Sequence, residues 1–297
     1  MELAQPGILE AVPLVARHVS FAIAPEALTP AALPESLKRL AAAADGDSIV
    51  VALGPGLVSA LGASVPGLDE MPSLSGHGVQ VPSTPVALWC WLRGTDRGDL
   101  LHLSRKLVGL LQPAFKLCHV VDAFRHKTGR DLTGYEDGTE NPEGDLAEQA
   151  ALVHGAGPGL DGSSYLAVQQ WVHDFDAFEL LADDDRDHHF GRRLADNFEL
   201  EDSPTWAHVK RTAQESFEPP AFILRRSMPW TQGMQSGLMF VAFGKSHRAF
   251  EVQMRRMAGQ EDGIVDAMFR ISNPVSGSYL WCPPLAQGRL DLRQLGL

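Results

Sequence analysis

Residues Gly134 to Pro142, which read GYEDGTENP, put two glycines, a threonine and four carboxylate or amide side chains into nine positions. Carboxylates packed this densely can carry protons or pair with cations. Asp-Gly also marks a tight turn, and Thr-x-Asn-Pro can close one element or open another, so taken alone the stretch reads first as a surface loop. Its chemistry depends on which other residues share a site with it.

Eleven histidines are available. His188 and His189 follow Asp183, Asp184, Asp185 and Asp187 in a DDDRDHH run. That run reads as a solvated loop, because spacing alone fixes no ligand geometry. His18, His119 and His173 fall in apolar, strand-like segments and read as core or rim residues. His208, in SPTWAHVKRT, follows a proline and sits beside Trp206, Ala207 and Val209, at the entry to a new element. Imidazole is the commonest metal-binding side chain, yet most histidines bind nothing, so its role stays open at this point. Arg225 and Arg226 interrupt the apolar stretch AFILRRSMPW. On a strand they point to opposite faces, so one is expected in solvent and the other inside, where it needs an anionic partner. Arg192 and Arg193 read equally as a basic turn or an anion contact.

The elements that must position these residues repeat a rhythm. HVSFAI (18–23), SIVVALG (48–54), ALWCWLRG (87–94) and HVVDAF (119–124) read as strands, with helical spacing in PESLKRLAAAA (34–44) and DLLHLSRKLVGLLQ (99–112) between them. The second half offers strands at 164–174, 221–230, 237–245 and 276–284, and helices at 175–184 and 247–259. Two such units predict an α+β fold of two sandwiches, helices packed on antiparallel sheets, with residues 1–141 in the first and 142–297 in the second. The polar turn lies at their junction, where ligand sites often form. A short helix is expected within 142–161.

A chain of 297 residues can bury one large core or two medium ones. With 25 Lys and Arg against 37 Asp and Glu, its net charge of −12 argues against nucleic acid or an anionic membrane as the main partner. No apolar run reaches the roughly 20 residues of a membrane span. Glu2, Pro6, Glu10 and Pro13 break the N-terminal apolar run that a signal peptide needs, so a cytoplasmic location is expected. Three scattered cysteines, Cys90, Cys118 and Cys282, give no CxxC, no covalent haem attachment motif and no disulfide framework.

GRDLTGYEDGTENP closely resembles the signature of the dye-decolorising peroxidases, whose mark is G-x-x-D-G followed by T-x-N-P. QPGILE, VVALGPGL, SYLAVQQWVHD, the GRR triplet and NPVSGSYLWCPP extend the likeness along nearly the whole chain, and the compact length resembles the B-type subgroup. The resemblance implies two ferredoxin-like halves within a dimeric α+β barrel-like superfamily, with haem b (iron protoporphyrin IX) held in the second. It implies a peroxidase that reduces hydrogen peroxide and oxidises dye-like and phenolic substrates through a ferryl intermediate.

On that resemblance His208 is the iron's axial ligand, Asp137 the distal proton carrier and Arg225 the distal cation. Asp266, in VDAMFRIS, is the carboxylate expected to accept the second N–H of His208. Ser227 stands where related enzymes often carry asparagine, which implies a differently placed distal hydrogen bond. Gly134 and Gly138 are expected to let the backbone approach the porphyrin, Glu140 and Arg192 to lie toward its propionate edge, and Leu238 and Phe240 to roof it or simply pack in the core. Homo-oligomers and small aromatic reductants are implied partners. Some relatives enter protein nanocompartments through a C-terminal extension; RLDLRQLGL directly follows the last core segment, so that partnership is not expected. A haem-handling protein with incidental peroxidase activity, a chlorite-type haem enzyme and a haem-free interaction module are the competing readings.

Overall fold

In the first strand, β1 (Val15–Ile23), Val19 and Phe21 turn toward helices while Ala16 and His18 turn the opposite way, and neither face is left to water. The same double burial recurs through β2 (Ile49–Leu53) and β3 (Leu88–Gly94), whose residues are nearly all apolar for that reason. The fourth strand, β4 (Phe115–Phe124), completes an antiparallel sheet in the order β4-β1-β3-β2. Two helices cover one face: α1 (Ala32–Ala43) buries Leu37 and Leu40, and α2 (Arg97–Leu111) buries Leu100, Leu107 and Leu111. Helix α2 begins where the Asp96 carboxylate accepts from the backbone N–H groups of Gly98 and Asp99, a cap worth about 1 kcal/mol.

This is a computed structural model describing residues 3–25 and 31–297; Met1, Glu2 and residues 26–30 lie outside it, Glu2 being one of the residues cited for the N-terminus. Its second half repeats the plan. Strands β5 (Ser164–His173), β6 (Met228–Gln232), β7 (Gln235–Gly244) and β8 (Ser278–Cys282) pair antiparallel in the order β8-β5-β7-β6. The connections are the helices α3 (Asp183–Phe190) and α4 (His208–Arg211) before β6, and α5 (Arg248–Met257) after β7. Both halves are therefore ferredoxin-like. They join edge to edge at two narrow contacts, Trp281 opposite Leu53 and Ala123 opposite Trp230, which close eight strands into a ring. Trp89, Trp91, Trp230, Met239, Phe243 and Leu280 fill its interior.

Alternation along β7 decides where a site can form. Met239, Val241 and Phe243 point into the ring, whereas Leu238, Phe240 and Ala242 point out, toward Phe250, Met254 and Met257 of α5. The outer face of the second sheet is thus roofed by a helix with an apolar stripe at i, i+4 and i+7 spacing.

Three expectations change. The segment 175–184 is two pieces, Phe175–Glu179 and then α3 from Asp183. DDDRDHH is this helix rather than a loop: Asp183 to Asp185 sit at its positive N-terminal end, His188 and His189 near its C-terminus, and Gly191, at φ 80°, ends it. AFILRRSMPW is regular only at Leu224–Arg225 and from Met228 onward. Register is kept across the gap, with Arg225 opposite Ala242 and Met228 opposite Met239. Arg225 and Arg226 therefore do take opposite faces, but neither is fully exposed, because one face lines the roofed cavity and the other the ring. Arg226 lies at the ring's end and donates to the Leu9 carbonyl, and burial lowers its pKa to about 10. Among the described residues no helix is long and apolar enough to cross a membrane.

Candidate functional site

The polar turn is shaped by its glycines. Gly134 and Gly138 have φ of 94° and 84°, the left-handed region that other residues reach only with strain. A Cβ on Gly138 would also lie 2.8 Å from the Asn141 amide nitrogen. The turn itself thus accounts for both glycines, and Gly134 faces Leu194 rather than the cavity.

Two amide side chains fix the turn to the second half. Asn141 donates from Nδ2 to the Arg225 carbonyl at 3.0 Å and accepts the Arg225 N–H on Oδ1 at 2.8 Å. Gln214 does the same one step away, donating to the Glu140 carbonyl at 2.8 Å and accepting from Ile223 N–H at 2.9 Å. Both turn and strand have their exposed backbone groups satisfied by these bonds. Neither residue was singled out from sequence. Asn141 at least stood inside the quoted turn, whereas Gln214 carried no signal.

The result is that Asp137 and Arg225 face one another. Asp137 Oδ1 lies 3.5 Å from Arg225 Nε, close enough for an ion pair but long for a hydrogen bond. Arg225 Nε is buried without a hydrogen-bond partner among the described residues. A buried donor left unmet costs about 1–3 kcal/mol.

In the same cavities, His208 opens α4. Its Nδ1 lies 2.8 Å from Asp266 Oδ2, and Asp266 is fully buried. The second oxygen of Asp266 accepts from Met268 N–H at 2.8 Å, capping the turn Ala267–Arg270. An ionised carboxylate only accepts, so Nδ1 carries the proton and Nε2 keeps its lone pair for a ligand. His173 lines the same cavity but is fully committed, Nδ1 to Ser272 Oγ at 2.7 Å and Nε2 to Asp131 Oδ1 at 2.9 Å. Burial alone would raise the Asp131 carboxyl, but the hydrogen bonds from His173 and Thr133 outweigh it and lower the pKa.

Asp137, His208, Thr212 and Arg225 stand on the boundary between two adjoining cavities. One is apolar, walled by Trp171, Ile223, Leu238, Phe240 and Met254. The other is polar and contains Glu140 and Arg192. Arg192 is held there by Glu140 Oε1 at 2.5 Å and Glu199 Oε2 at 3.0 Å. Ser227 and Gly138 line neither; they lie in a third cavity beyond Asp137 and Arg225. The Ser227 hydroxyl accepts from Val241 N–H at 3.4 Å. Of the residues expected at the site, the fold thus gathers Asp137, Arg225, His208, Leu238 and Phe240 around one space, with Asp266 behind His208. Among the described residues there is no cluster of three metal-ligating side chains, DDDRDHH included.

The sequence model described as "Dyp-type peroxidase, C-terminal" matches residues 128–287, a span that holds the turn, His208, Arg225 and Asp266. The dye-decolorizing peroxidase of Mycolicibacterium paratuberculosis is 28% identical over 222 residues, covering 73% of this chain and 63% of that protein. The one of Mycobacterium tuberculosis is 27% identical over 224 residues, covering 73% and 67%. The chain therefore spans about two thirds of the length of these relatives. Among solved structures, the dye-decolorizing protein from V. cholerae superposes with a TM-score of 0.84 at 26% identity, over 98% of both chains. DyPB from Rhodococcus jostii RHA1 gives 0.81 at 25%, over 93% of this chain and 94% of that one, and a variant of it has been solved in complex with heme. With its family match running from the polar turn through both faces of the cavity, the chain belongs to the Dyp-type peroxidase family.

Proposed function

We propose that this protein is a haem b peroxidase that reduces hydrogen peroxide and oxidises phenolic or dye-like aromatic molecules. The observation that carries this reading is the contrast between the two cavity histidines: His173 has both ring nitrogens engaged, whereas His208 has one fixed by a buried carboxylate and the other left free. The residues fit haem. The apolar cavity suits a porphyrin face, Arg225 keeps a buried donor unmet among the described residues, and the adjoining polar cavity suits ionised propionates.

His208 would hold the iron through Nε2, with Asp266 strengthening its donor character by taking the Nδ1 proton partway. Haem, when bound, supplies the redox chemistry by which peroxide becomes water and organic reductants lose one electron at a time. Asp137 takes a proton from one peroxide oxygen on its carboxylate and returns it to the oxygen that leaves as water. Arg225 brings a guanidinium charge that offsets the negative charge that builds on the separating oxygens. Its side chain is held for that task because Asn141 grips its backbone on both sides. The second half, residues 142–297, carries the cofactor in this reading, and the end of the first half supplies Asp137.

Rapid mixing of the haem-loaded protein with hydrogen peroxide, followed by a phenolic reductant, tests the proposal. Fast reaction that slows on Asp137→Asn and Arg225→Leu supports a dedicated peroxidase. A slow reaction indifferent to both variants would favour a protein that binds haem for another purpose.

A further inference from the structure

The turn that presents Asp137 also carries Tyr135, which is 4% exposed and stacks on Phe190 with ring centroids 3.8 Å apart. Phe178 and Ile271 complete an apolar setting for the ring. The hydroxyl has a different neighbour. It donates to Asp187 Oδ1 at 2.5 Å, and the same oxygen accepts Leu194 N–H at 3.0 Å. Asp187 stands on α3 and is partly exposed, so its carboxylate joins the buried phenol to the outside. Burial, and then the bond to Asp187, raise the Tyr135 pKa, which keeps the phenol protonated at neutral pH.

Tyr135 lines the polar cavity that holds Arg192, together with Asp137, His208 and Arg225, whereas Asp187 does not. Among the described residues, neither of the other two tyrosines and none of the six tryptophans donates to a carboxylate. Tyr165 donates to the Pro66 carbonyl, Trp171 to Gln169 Oε1 and Trp230 to the Trp171 carbonyl. The difference is chemical. A phenol that loses an electron becomes a strong acid, and in apolar surroundings the resulting charge is costly, so oxidation of a buried tyrosine needs a base already in place. An ionised carboxylate is such a base; an amide or peptide carbonyl is not.

We propose that Tyr135 is an electron relay of the peroxidase, with Asp187 as its proton acceptor. This rests on the reading of the adjoining cavities as a haem peroxidase site. With hydrogen peroxide as the oxidant, Tyr135 gives up one of the two electrons that turn peroxide into water and passes its hydroxyl proton to Asp187, leaving a neutral tyrosyl radical. A phenolic reductant returns the electron, and Tyr135 takes its proton back from Asp187. The reductant leaves as a phenoxyl radical after releasing its own proton to water.

Freeze-quench electron paramagnetic resonance of the haem-loaded protein mixed with hydrogen peroxide and no reductant tests this, with peroxide consumption followed in the same samples. A tyrosyl radical is expected, its hyperfine pattern altered when the tyrosines are ring-deuterated. Tyr135→Phe, which keeps the ring and its stack on Phe190, should abolish it. The double variant Tyr165→Phe, Tyr279→Phe, in which Tyr135 is the one tyrosine left, should retain it and decides alone if Tyr135→Phe fails to fold. In Asp187→Asn the side chain still accepts both hydrogen bonds but takes no proton, and the radical should form about 100-fold more slowly. A radical that persists in Tyr135→Phe, disappears from the double variant or forms at the parent rate in Asp187→Asn would overturn the proposal, as would peroxide consumed without any tyrosyl radical. Peroxide left unconsumed would overturn the peroxidase reading together with it.

Discussion

Asn141 holds the backbone of Arg225 by both its atoms, Nδ2 to the carbonyl at 3.0 Å and Oδ1 to the N–H at 2.8 Å, across 84 positions of sequence. The turn that presents Asp137 and the strand that presents Arg225 are thus tied together through their backbones. Asn141→Ala should therefore slow the reaction with peroxide by on the order of 10- to 100-fold although Asp137 and Arg225 are both present, because small misplacements of a catalytic pair are costly. A rate within two-fold of the parent, by rapid mixing, would show that the two halves of the site hold their positions independently.

Asp137 and Arg225 should fail differently. Arg225→Leu removes a permanent charge, a loss of about 100-fold or more that should appear at every accessible pH. Asp137→Asn removes a proton carrier, a role worth about 100- to 10,000-fold, and should flatten the acid limb of the rate profile. Rates of reaction with peroxide measured against pH separate the two; an Asn variant that keeps the parent's acid limb would return the turn to a structural role.

Asp266→Asn preserves the cap on Met268 N–H but offers His208 a neutral partner. A less electron-rich imidazole stabilises ferric iron less, so the reduction potential of the haem-loaded protein should rise. Spectroelectrochemical titration reads this directly. An unchanged potential would mean that the imidazole is oriented by something other than this carboxylate.

Much of this arrangement was legible beforehand, and the reasons are specific. Strands buried on both faces, such as Ile49–Leu53, leave continuous apolar runs that are easy to find, and α2 shows its helical spacing. The roles proposed for Asp137, Arg225 and His208 rest on the likeness of GYEDGTENP and its companions, since bare spacing left His208 among eleven histidines. What stayed hidden was tertiary. Nothing local distinguishes Gln214 from other glutamines, and nothing tells that Arg225 and Arg226 are both partly covered, because the ring beside Arg226 closes through single bridging pairs of residues distant in sequence. DDDRDHH misled because its polarity hid a helix with Asp183 to Asp185 at its positive N-terminal end and Gly191 closing its C-terminus.

His18 gives the fold a dependence on acid. It lies inside the ring beside Trp89 and Trp91, at ring distances of 5.6 and 6.1 Å, with both nitrogens unpartnered among the described residues, and burial lowers its pKa from 6.5 to about 3. The unfolded chain then binds the proton more readily than the fold. The stability is fully present above about pH 6.5 and declines as pH falls toward 3, by about 2–3 kcal/mol at pH 4.5 from this residue. Buried His247, lowered to about 4, acts in the same direction. His18→Phe should stabilise the protein and reduce the loss between pH 6.5 and 4.5, as read by denaturant unfolding at several pH values. An unaltered slope would place the acid sensitivity elsewhere.

The central claim is that His208 Nε2 is the position from which this fold holds iron. The direct measurement is the absorption and electron paramagnetic resonance of the ferric haem-loaded protein, compared with His208→Ala and His173→Ala. His208→Ala should weaken haem retention and change the iron's axial ligation, and His173→Ala, whose ring is bound to Ser272 and Asp131, should leave the ligation intact. Unchanged axial ligation in His208→Ala would contradict the account.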